Sequence, residues 1–106
     1  NSHQVRIIGA GAYWPQGTDS EVAELNWWHA SGDPYGRWVA GDNWHGGIAL
    51  FDAETTQKHL LTTGHRTYGR GTHPEVGWDT RGRFVIFGSE YLGNPDVCVV
   101  EIPKEW

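Results

Sequence analysis

The chain repeats one short pattern twice, and this repetition constrains its fold more than any other feature. The stretch HASGDPYGRWVAGD at 29–42 has the same order of residue types as HPEVGWDTRGRFVIFGSE at 73–90. A shift of 46 residues superimposes the Asp, Gly and Arg of the two stretches, and a shift of 49 superimposes IALFD at 48–52 on VCVVE at 97–101. The two copies therefore predict two equivalent structural units, of which the second carries three more residues.

Both copies consist of short strand-like runs separated by clusters of Gly, Pro, Asp and Asn, which are turn residues. The 15 glycines are about twice the average usage of roughly 7%. Helical periodicity is weak, and its best candidate, SEVAELNWW, runs into β-favouring tryptophans. An all-β protein is therefore predicted, with strands near 25–30, 37–42, 47–52 and 58–63 in the first copy and near 74–78, 83–88 and 96–102 in the second.

A period of about 40–50 residues with three or four short strands is typical of a β-propeller blade. We therefore predict four-stranded antiparallel blades at 25–64 and at 65–106, the last of which lacks its fourth strand. Residues 1–24 are predicted to hold an outer strand of a preceding blade, at 4–10, and a connecting loop. Because propellers typically have about 4–8 blades, this chain is expected to belong to a larger propeller, for example one of seven blades. The remaining blades come from the same polypeptide, which we favour, or from other copies.

The shared Asp-x-x-Gly-Arg pattern predicts a turn within each unit. The side chains of Asp33 and Asp79 are expected to accept hydrogen bonds from backbone two residues on, and Gly36 and Gly82 to supply a positive φ. These residues are therefore assigned to turn architecture and not to chemistry. Asp19, Glu21 and Glu24 are expected in a solvated loop, and the remaining histidines, His3, His45 and His59, on the surface.

Composition excludes several classes of function. Thirteen Asp and Glu against eight Lys and Arg argue against nucleic-acid or anionic-membrane binding. No apolar run approaches the roughly 18 residues of a membrane span, and no signal peptide is visible. The single Cys98 excludes an internal disulfide and indicates nothing about export. The expected location is nevertheless secreted or periplasmic.

The pattern His-Pro-x-x-x-x-Asp-x-x-Gly-Arg-x-Val-x-Phe-x-Ser, followed by VCVVEIP, resembles the last blade of TolB-like propellers. More narrowly, it is similar to the propeller-fold polysaccharide lyases, namely the oligogalacturonate lyases and the ulvan lyases. The resemblance covers about residues 25–103. It implies a uronic-acid polymer as substrate, and histidines that bind a divalent metal near the propeller axis. The chain departs from the oligogalacturonate lyases before His73, with Tyr68 and Gly71 where those enzymes carry further ligands.

Three histidines are the candidate metal ligands. His29 and His73 open equivalent units, so both are expected to face the central channel, and His65 precedes His73 in the crossing between blades. Neutral imidazole is a common ligand of transition metals. We therefore predict that His29, His65 and His73 hold a divalent ion, which would be Zn, Mn or Ca. The alternative is that each histidine caps a strand and bonds to backbone.

The segment GHRTYGRGTHP supplies residues suited to β-elimination. A lyase acting on uronic acids must neutralise the C6 carboxylate, remove the C5 proton and protonate the leaving oxygen. Arginine binds a carboxylate in bidentate fashion, and tyrosine serves as base or acid. We predict that Arg70 and Tyr68 are catalytic, that Arg66 binds substrate, and that Trp28 and Trp44 stack on sugar rings.

The sequence leaves three functions open. The first is a polysaccharide lyase that acts on an anionic polysaccharide or oligosaccharide. The second is a non-catalytic propeller that binds carbohydrate or a protein through its rim, using Trp14, Trp27, Trp28 and Trp44. The third is a TolB-like protein-interaction scaffold with no ligand chemistry.

Overall fold

The computed structural model describes residues 4–65 and 73–106. Within these ranges the chain forms one short helix and two antiparallel sheets, which carry the two copies of the repeat. The helix α1 spans Asp19–Leu25. The first sheet has the order β1-β2-β3-β4, with β1 at Trp27–Gly32, β2 at Trp38–Asn43, β3 at Ile48–Asp52 and β4 at Lys58–Thr62. The second has the order β5-β6-β7, with β5 at Gly77–Trp78, β6 at Phe84–Ser89 and β7 at Asp96–Glu101.

The predicted all-β character is confirmed, and the strands lie close to the predicted ranges. The expected strand at 4–10 is not formed. This segment instead lies across the first sheet, where the Arg6 guanidinium donates to the backbone carbonyls of Ala53 and Glu54. Gly9 faces the ring of Phe51, and a Cβ at this glycine would lie only 2.5 Å from that ring. The segment therefore serves as a cover for the sheet.

The helix α1 replaces the solvated loop that was predicted for its acidic residues. A capping box starts it: the Thr18 hydroxyl accepts from the Glu21 backbone N–H at 3.2 Å, and the Glu21 carboxylate accepts from the Thr18 N–H at 2.8 Å. Val22, on the inner face of the helix, is fully buried. The Thr-x-x-Glu capping box thus starts a helix here although the helical periodicity of the segment is weak. In the described part of the chain, no helix is long and apolar enough to cross a membrane.

The repeated turn is confirmed, but its aspartate reaches further than predicted. Asp33 Oδ1 accepts from the backbone N–H groups of Arg37 and Trp38, at 2.8 and 3.3 Å. The equivalent Asp79 accepts from the corresponding two N–H groups at 2.8 and 2.9 Å. The carboxylate therefore spans the turn to residues four and five positions later. Gly36 supplies the positive φ, of 73°.

The core lies between the two sheets. One side of β2 and β3 packs against one side of β6, and the edge strands β1 and β5 are in contact. The indole Nε1 of Trp78, in β5, donates to the backbone carbonyl of Ser31, in β1, at 2.8 Å. This packing brings the start of β1 close to residues 73–76, which precede β5. The buried side chains of the core are Trp38, Ala40, Ile48, Leu50, Val76, Val85 and Phe87.

Candidate functional site

A buried carboxylate orients His29. The hairpin of β1 and β2 pairs His29 with Asp42, directly after a register shift between Trp27 and His29. Asp42 Oδ1 accepts from the His29 backbone N–H at 2.6 Å, and Oδ2 lies 3.0 Å from Nδ1 of the His29 ring. The Asp42 side chain is only 1% exposed. Because a buried charge needs hydrogen-bonded partners, this carboxylate and this imidazole hold one another in place.

A second carboxylate approaches His29 from the other sheet. Glu75 lies just before β5, and its backbone N–H donates to Asp42 Oδ2 at 3.3 Å. Its φ of 50° lies in the left-handed region, which costs a non-glycine residue about 1–2 kcal/mol. This backbone places Glu75 Oε1 at 3.7 Å from Nε2 of His29. His29 therefore lies between one buried and one exposed carboxylate.

The contacts of His29 fix its tautomer. An ionised carboxylate only accepts hydrogen bonds, so the nitrogen that faces Asp42, Nδ1, carries the proton in the neutral ring. The other nitrogen, Nε2, then presents its lone pair on the side of Glu75. The His29 side chain is 37% exposed, and the Glu75 carboxylate beside Nε2 is 70% exposed. An imidazole held in this way has the arrangement of a general base.

An aromatic cluster adjoins His29, and it consists of Trp28, Trp44 and His73. The rings of Trp28 and His73 are stacked, with centroids 4.5 Å apart and planes 20° apart. The rings of Trp28 and Trp44 lie 4.2 Å apart. The centroids of His29 and His73 are 6.0 Å apart. Trp28 remains 43% exposed within this cluster, so the structure brings the predicted sugar-binding tryptophans to the side of the His29–Asp42 pair.

An open aromatic cleft extends from this cluster toward the N-terminal segment. Its volume is about 430 Å³. Tyr13 and Trp14 contribute large exposed rings, at 64% and 46%. Such a cleft offers flat apolar surfaces with polar edges, which suit the faces of sugar rings. Its lining consists of Tyr13, Trp14, Asn26, Trp27, Trp28 and Trp44.

The third predicted metal ligand, His65, lies in a different environment. Its Nδ1 is 2.7 Å from the Ser89 hydroxyl and its Nε2 is 3.0 Å from the Thr62 hydroxyl. Its ring packs at 4.6 Å against Phe87, and burial lowers the pKa of His65 below 6.5. Both ring nitrogens thus have partners other than a metal. His65 bridges the two sheets, because Thr62 belongs to β4 and Ser89 to β6.

The structure therefore brings His29 and His73 together and leaves His65 apart. In the ranges 4–65 and 73–106 no group of three His, Cys, Asp or Glu side chains has the geometry of a metal site. As arranged here, His29, His65 and His73 do not fit a single shared ion. The divalent metal stays a prediction.

The predicted catalytic residues of the blade crossing, Tyr68 and Arg70, and the predicted substrate-binding Arg66 lie outside the described residues. Their roles stay predictions. They belong to the segment that directly precedes His73, and hence to the sequence neighbourhood of the site.

Several other aromatic residues have packing roles. Trp27 packs edge-on against Phe51 at 5.1 Å and donates from Nε1 to the Ala10 carbonyl. His59 was expected on the surface, but it packs between Trp38 and Trp106, with centroid distances of 5.5 and 4.7 Å. That expectation was wrong because His59 lies on the core side of β4. The exposed position predicted for His45 is confirmed.

Sequence reasoning missed both carboxylates of the site. The position of Asp42 depends on where the turn closes: the Asp33 N–H donates to the Trp38 carbonyl, and counting outward from that pair places residue 42 opposite residue 29. Glu75 gave no such signal, since its role depends on a left-handed backbone and on contact between the sheets. Comparison with known proteins finds no matching family model, no similar curated protein and no similar solved structure.

Proposed function

We propose that this chain is part of a β-propeller polysaccharide lyase that cleaves a uronic-acid-containing glycan by β-elimination. The observation that carries the proposal is the His29 ring, which is 37% exposed, with Nδ1 at 3.0 Å from the buried Asp42 carboxylate and Nε2 on the side of the exposed Glu75 carboxylate. A base oriented in this way, beside exposed aromatic rings, suits proton abstraction from a sugar.

The propeller arrangement is supported by the way the two copies pack. Each sheet is antiparallel with its strands in chain order, and the innermost strands β1 and β5 are neighbours. Adjacent propeller blades have this relationship about a central channel. His29 in β1 and His73 before β5 then lie near the axis, in blades at 25–64 and 65–106.

The proposed step begins at C5 of the uronate. His29 Nε2 removes the C5 proton, the electrons of that C–H bond form the C4–C5 double bond, and the C4–O4 bond breaks. The leaving O4 takes a proton from Tyr68. Asp42 keeps Nδ1 protonated at the start and stabilises the imidazolium that forms. Arg70 and Arg66 neutralise the C6 carboxylate, which makes the C5 proton removable.

Sugar rings adjoining the cleaved bond bind to the aromatic cluster in this proposal. Trp28 and Trp44 supply indole surface beside His29, and Trp28 is 43% exposed. No step is assigned to a metal, because both ring nitrogens of His65, the third predicted ligand, already contact the Ser89 and Thr62 hydroxyls. Elemental analysis of the purified protein tests the predicted ion.

A non-catalytic carbohydrate-binding propeller is the second candidate, and Glu75 favours it. Its carboxylate lies 3.7 Å from His29 Nε2 and is 70% exposed. An exposed negative charge at this position repels a uronate, whereas a neutral sugar meets no such penalty. The large exposed rings of Tyr13 and Trp14 in the neighbouring cleft also suit a binding surface.

The test combines an activity assay with a binding assay on the full-length protein. Unsaturated uronate is followed by its absorbance on oligogalacturonate and on ulvan, with the variants His29→Gln and His45→Gln. We expect His29→Gln to lower kcat by about 10²–10⁴-fold, the usual contribution of a general base. His45→Gln alters an exposed histidine outside the cluster and is expected to retain activity.

Tryptophan fluorescence separates the two candidates. If the wild-type protein releases no unsaturated product from either glycan, but its fluorescence changes on adding the glycan and Trp28→Ala abolishes that change, the binding function replaces the lyase. Absence of both product and binding would overturn both candidates.

A further inference from the structure

A pocket lies between the helix α1 and the strand β4, on the side of the first sheet that faces away from the core; we call it the α1–β4 pocket. Its volume is about 330 Å³, within the range of roughly 300–1,000 Å³ that is typical of small-molecule sites. Val22 buries one side of α1, and its neighbour Ala23 lines the pocket. Small residues leave this space unfilled, namely Ala23 on the helix, Gly47 and Ala49.

The absence of a side chain at Gly47 keeps the pocket open. A Cβ at this position would lie 3.7 Å from the Leu60 side chain and 3.9 Å from the Thr63 hydroxyl, which are ordinary van der Waals distances. The φ of Gly47 is also outside the left-handed region. Neither sterics nor backbone conformation therefore requires a glycine here. A methyl group at Gly47 would instead occupy space in the pocket, because Leu60 and Thr63 also line it.

A buried amide group without an acceptor belongs to this pocket. Asn43 lines the pocket and is 5% exposed. Its Oδ1 accepts from the His45 backbone N–H at 2.7 Å, which fixes the orientation of the amide. Its Nδ2 has no hydrogen-bond acceptor within residues 4–65 and 73–106. Because a buried donor without a partner is unfavourable, an oxygen atom of a bound ligand would stabilise it.

Two opposite charges lie at the pocket, one on each of its walls. Glu24 belongs to α1 and Lys58 to β4, and both side chains are exposed. Among the residues that the structure describes, neither takes part in an ion pair. The Lys58 ammonium lies 5.9 Å from the centre of the Trp27 ring, which also lines the pocket. A ligand that carries both an anionic and a cationic group matches this pair of charges, whereas a neutral sugar uses neither.

We propose that the α1–β4 pocket binds a free α-amino acid with an apolar side chain. The carboxylate of the ligand accepts from Asn43 Nδ2 and lies on the side of Lys58. The ammonium group lies on the side of Glu24, and the apolar side chain packs against Leu60. The proposal is independent of the lyase chemistry, because none of these residues belongs to the site around His29.

NMR titration of the nitrogen-15-labelled protein with L-leucine tests this site. We expect the side-chain amide resonances of Asn43 to shift and to saturate. Two analogues separate the charges: 4-methylpentanoate is leucine without its ammonium group, and 3-methylbutylamine is leucine without its carboxylate. Each is expected to bind more weakly than leucine. Glucose, a neutral sugar, is expected to cause no shift.

Gly47→Ala tests the pocket without altering a polar group. One additional methyl group in the filled pocket is expected to weaken leucine binding by about tenfold or more. Gly32→Ala is the matched control, because Gly32 lies in β1 outside the pocket and its new Cβ has no atom within 4 Å. This control is expected to bind leucine like the wild type.

Charge variants test the orientation of the ligand. Lys58→Gln and Glu24→Gln are each expected to weaken leucine binding by up to about fivefold, the usual contribution of an exposed ion pair. In Glu24→Gln, leucine and 4-methylpentanoate should bind with similar affinity, because the ammonium group has lost its anionic partner. Lys104→Gln removes a positive charge outside the pocket and is expected to leave binding unchanged.

Several results would overturn the proposal. These are no shift of the Asn43 amide with leucine, binding of glucose as tight as that of leucine, or unchanged leucine affinity in Gly47→Ala. Because the titration measures binding and not cleavage, a lyase assay without product leaves this test intact. The dispersion of the backbone amide spectrum checks that each variant is folded, and the substituted residues Glu24, Gly47 and Lys58 are exposed or half-buried in the wild type.

Discussion

Replacing Asp42 by Asn should reverse the tautomer of His29. The wild-type carboxylate accepts three N–H groups, from the His29 backbone at 2.6 Å, from His29 Nδ1 at 3.0 Å and from the Glu75 backbone at 3.3 Å. Asparagine offers one oxygen and one NH₂ group at the same place. If the oxygen keeps the backbone bond of His29, the NH₂ group faces Nδ1. The ring then moves its proton to Nε2 so that Nδ1 accepts.

The loss of stability in Asp42→Asn follows from the hydrogen bond that the Glu75 backbone N–H donates. With the amide NH₂ in place of Oδ2, the Glu75 N–H loses its acceptor in a partly buried position. An N–H group left without an acceptor costs about 1–3 kcal/mol, and bonds that lose a charged partner weaken further. The free energy of unfolding should therefore fall by about 1–3 kcal/mol. The proposed activity should fall much more, because Nε2 no longer carries a lone pair.

Nitrogen-15 NMR of the histidine ring measures the tautomer without substrate, and urea denaturation measures the free energy. We expect the resonance of the protonated nitrogen to move from Nδ1 in the wild type to Nε2 in Asp42→Asn. A variant that keeps the proton on Nδ1 would show that Asp42 does not orient His29. A variant that unfolds at the wild-type urea midpoint would show that the bond from the Glu75 N–H to Asp42 adds no stability.

Three further predictions concern the fold. Because burial lowers the pKa of His65 below 6.5, the unfolded chain binds the proton more tightly, so stability should fall as pH decreases below about 6.5 and level off below the folded-state pKa. The urea midpoint should decrease with decreasing pH in the wild type and in His45→Gln, and this decrease should be lost in His65→Gln. Leu50→Ala should lower the free energy of unfolding by about 2–5 kcal/mol, because the Leu50 side chain is fully buried. Leu60→Ala should lower it far less, because Leu60 is 62% exposed. Equal losses in urea denaturation would contradict the assignment of Leu50 to the core. Gly36→Ala should lower the free energy of unfolding by about 1–2 kcal/mol, because a φ of 73° strains any residue with a Cβ. No atom lies within 4 Å of the new Cβ, so a steric clash adds nothing to this loss. An unchanged melting temperature would contradict the backbone strain.

The strands could be predicted because their signals are local. Alternating apolar residues and the Asp-x-x-Gly-Arg turn fix each hairpin, so the predicted range 83–88 differs by one residue at each end from the observed β6. The expected strand at 4–10 depends on a pairing partner, which the sequence of that segment does not specify. It covers Phe51 instead, because Gly9 permits the close approach.

The candidate site could be predicted only in part. The position of His29 and His73 at the start of equivalent units reflects the repeat, and the structure places their rings 6.0 Å apart. The separate position of His65 depends on bonds to Ser89 and Thr62, which come from two different sheets. Contacts between sheets depend on side-chain packing, and no spacing in the sequence encodes them.

Analysis of the cleavage products tests the central proposal most directly. The full-length protein is incubated with oligogalacturonate in water enriched in oxygen-18, and the products are examined by mass spectrometry. Because β-elimination breaks the C4–O4 bond without adding water, we predict product pairs whose masses sum to that of the substrate, with an unsaturated end, no heavy oxygen, and strong loss in His29→Gln. Products that incorporate oxygen-18, or equal cleavage by wild type and His29→Gln, would contradict the account.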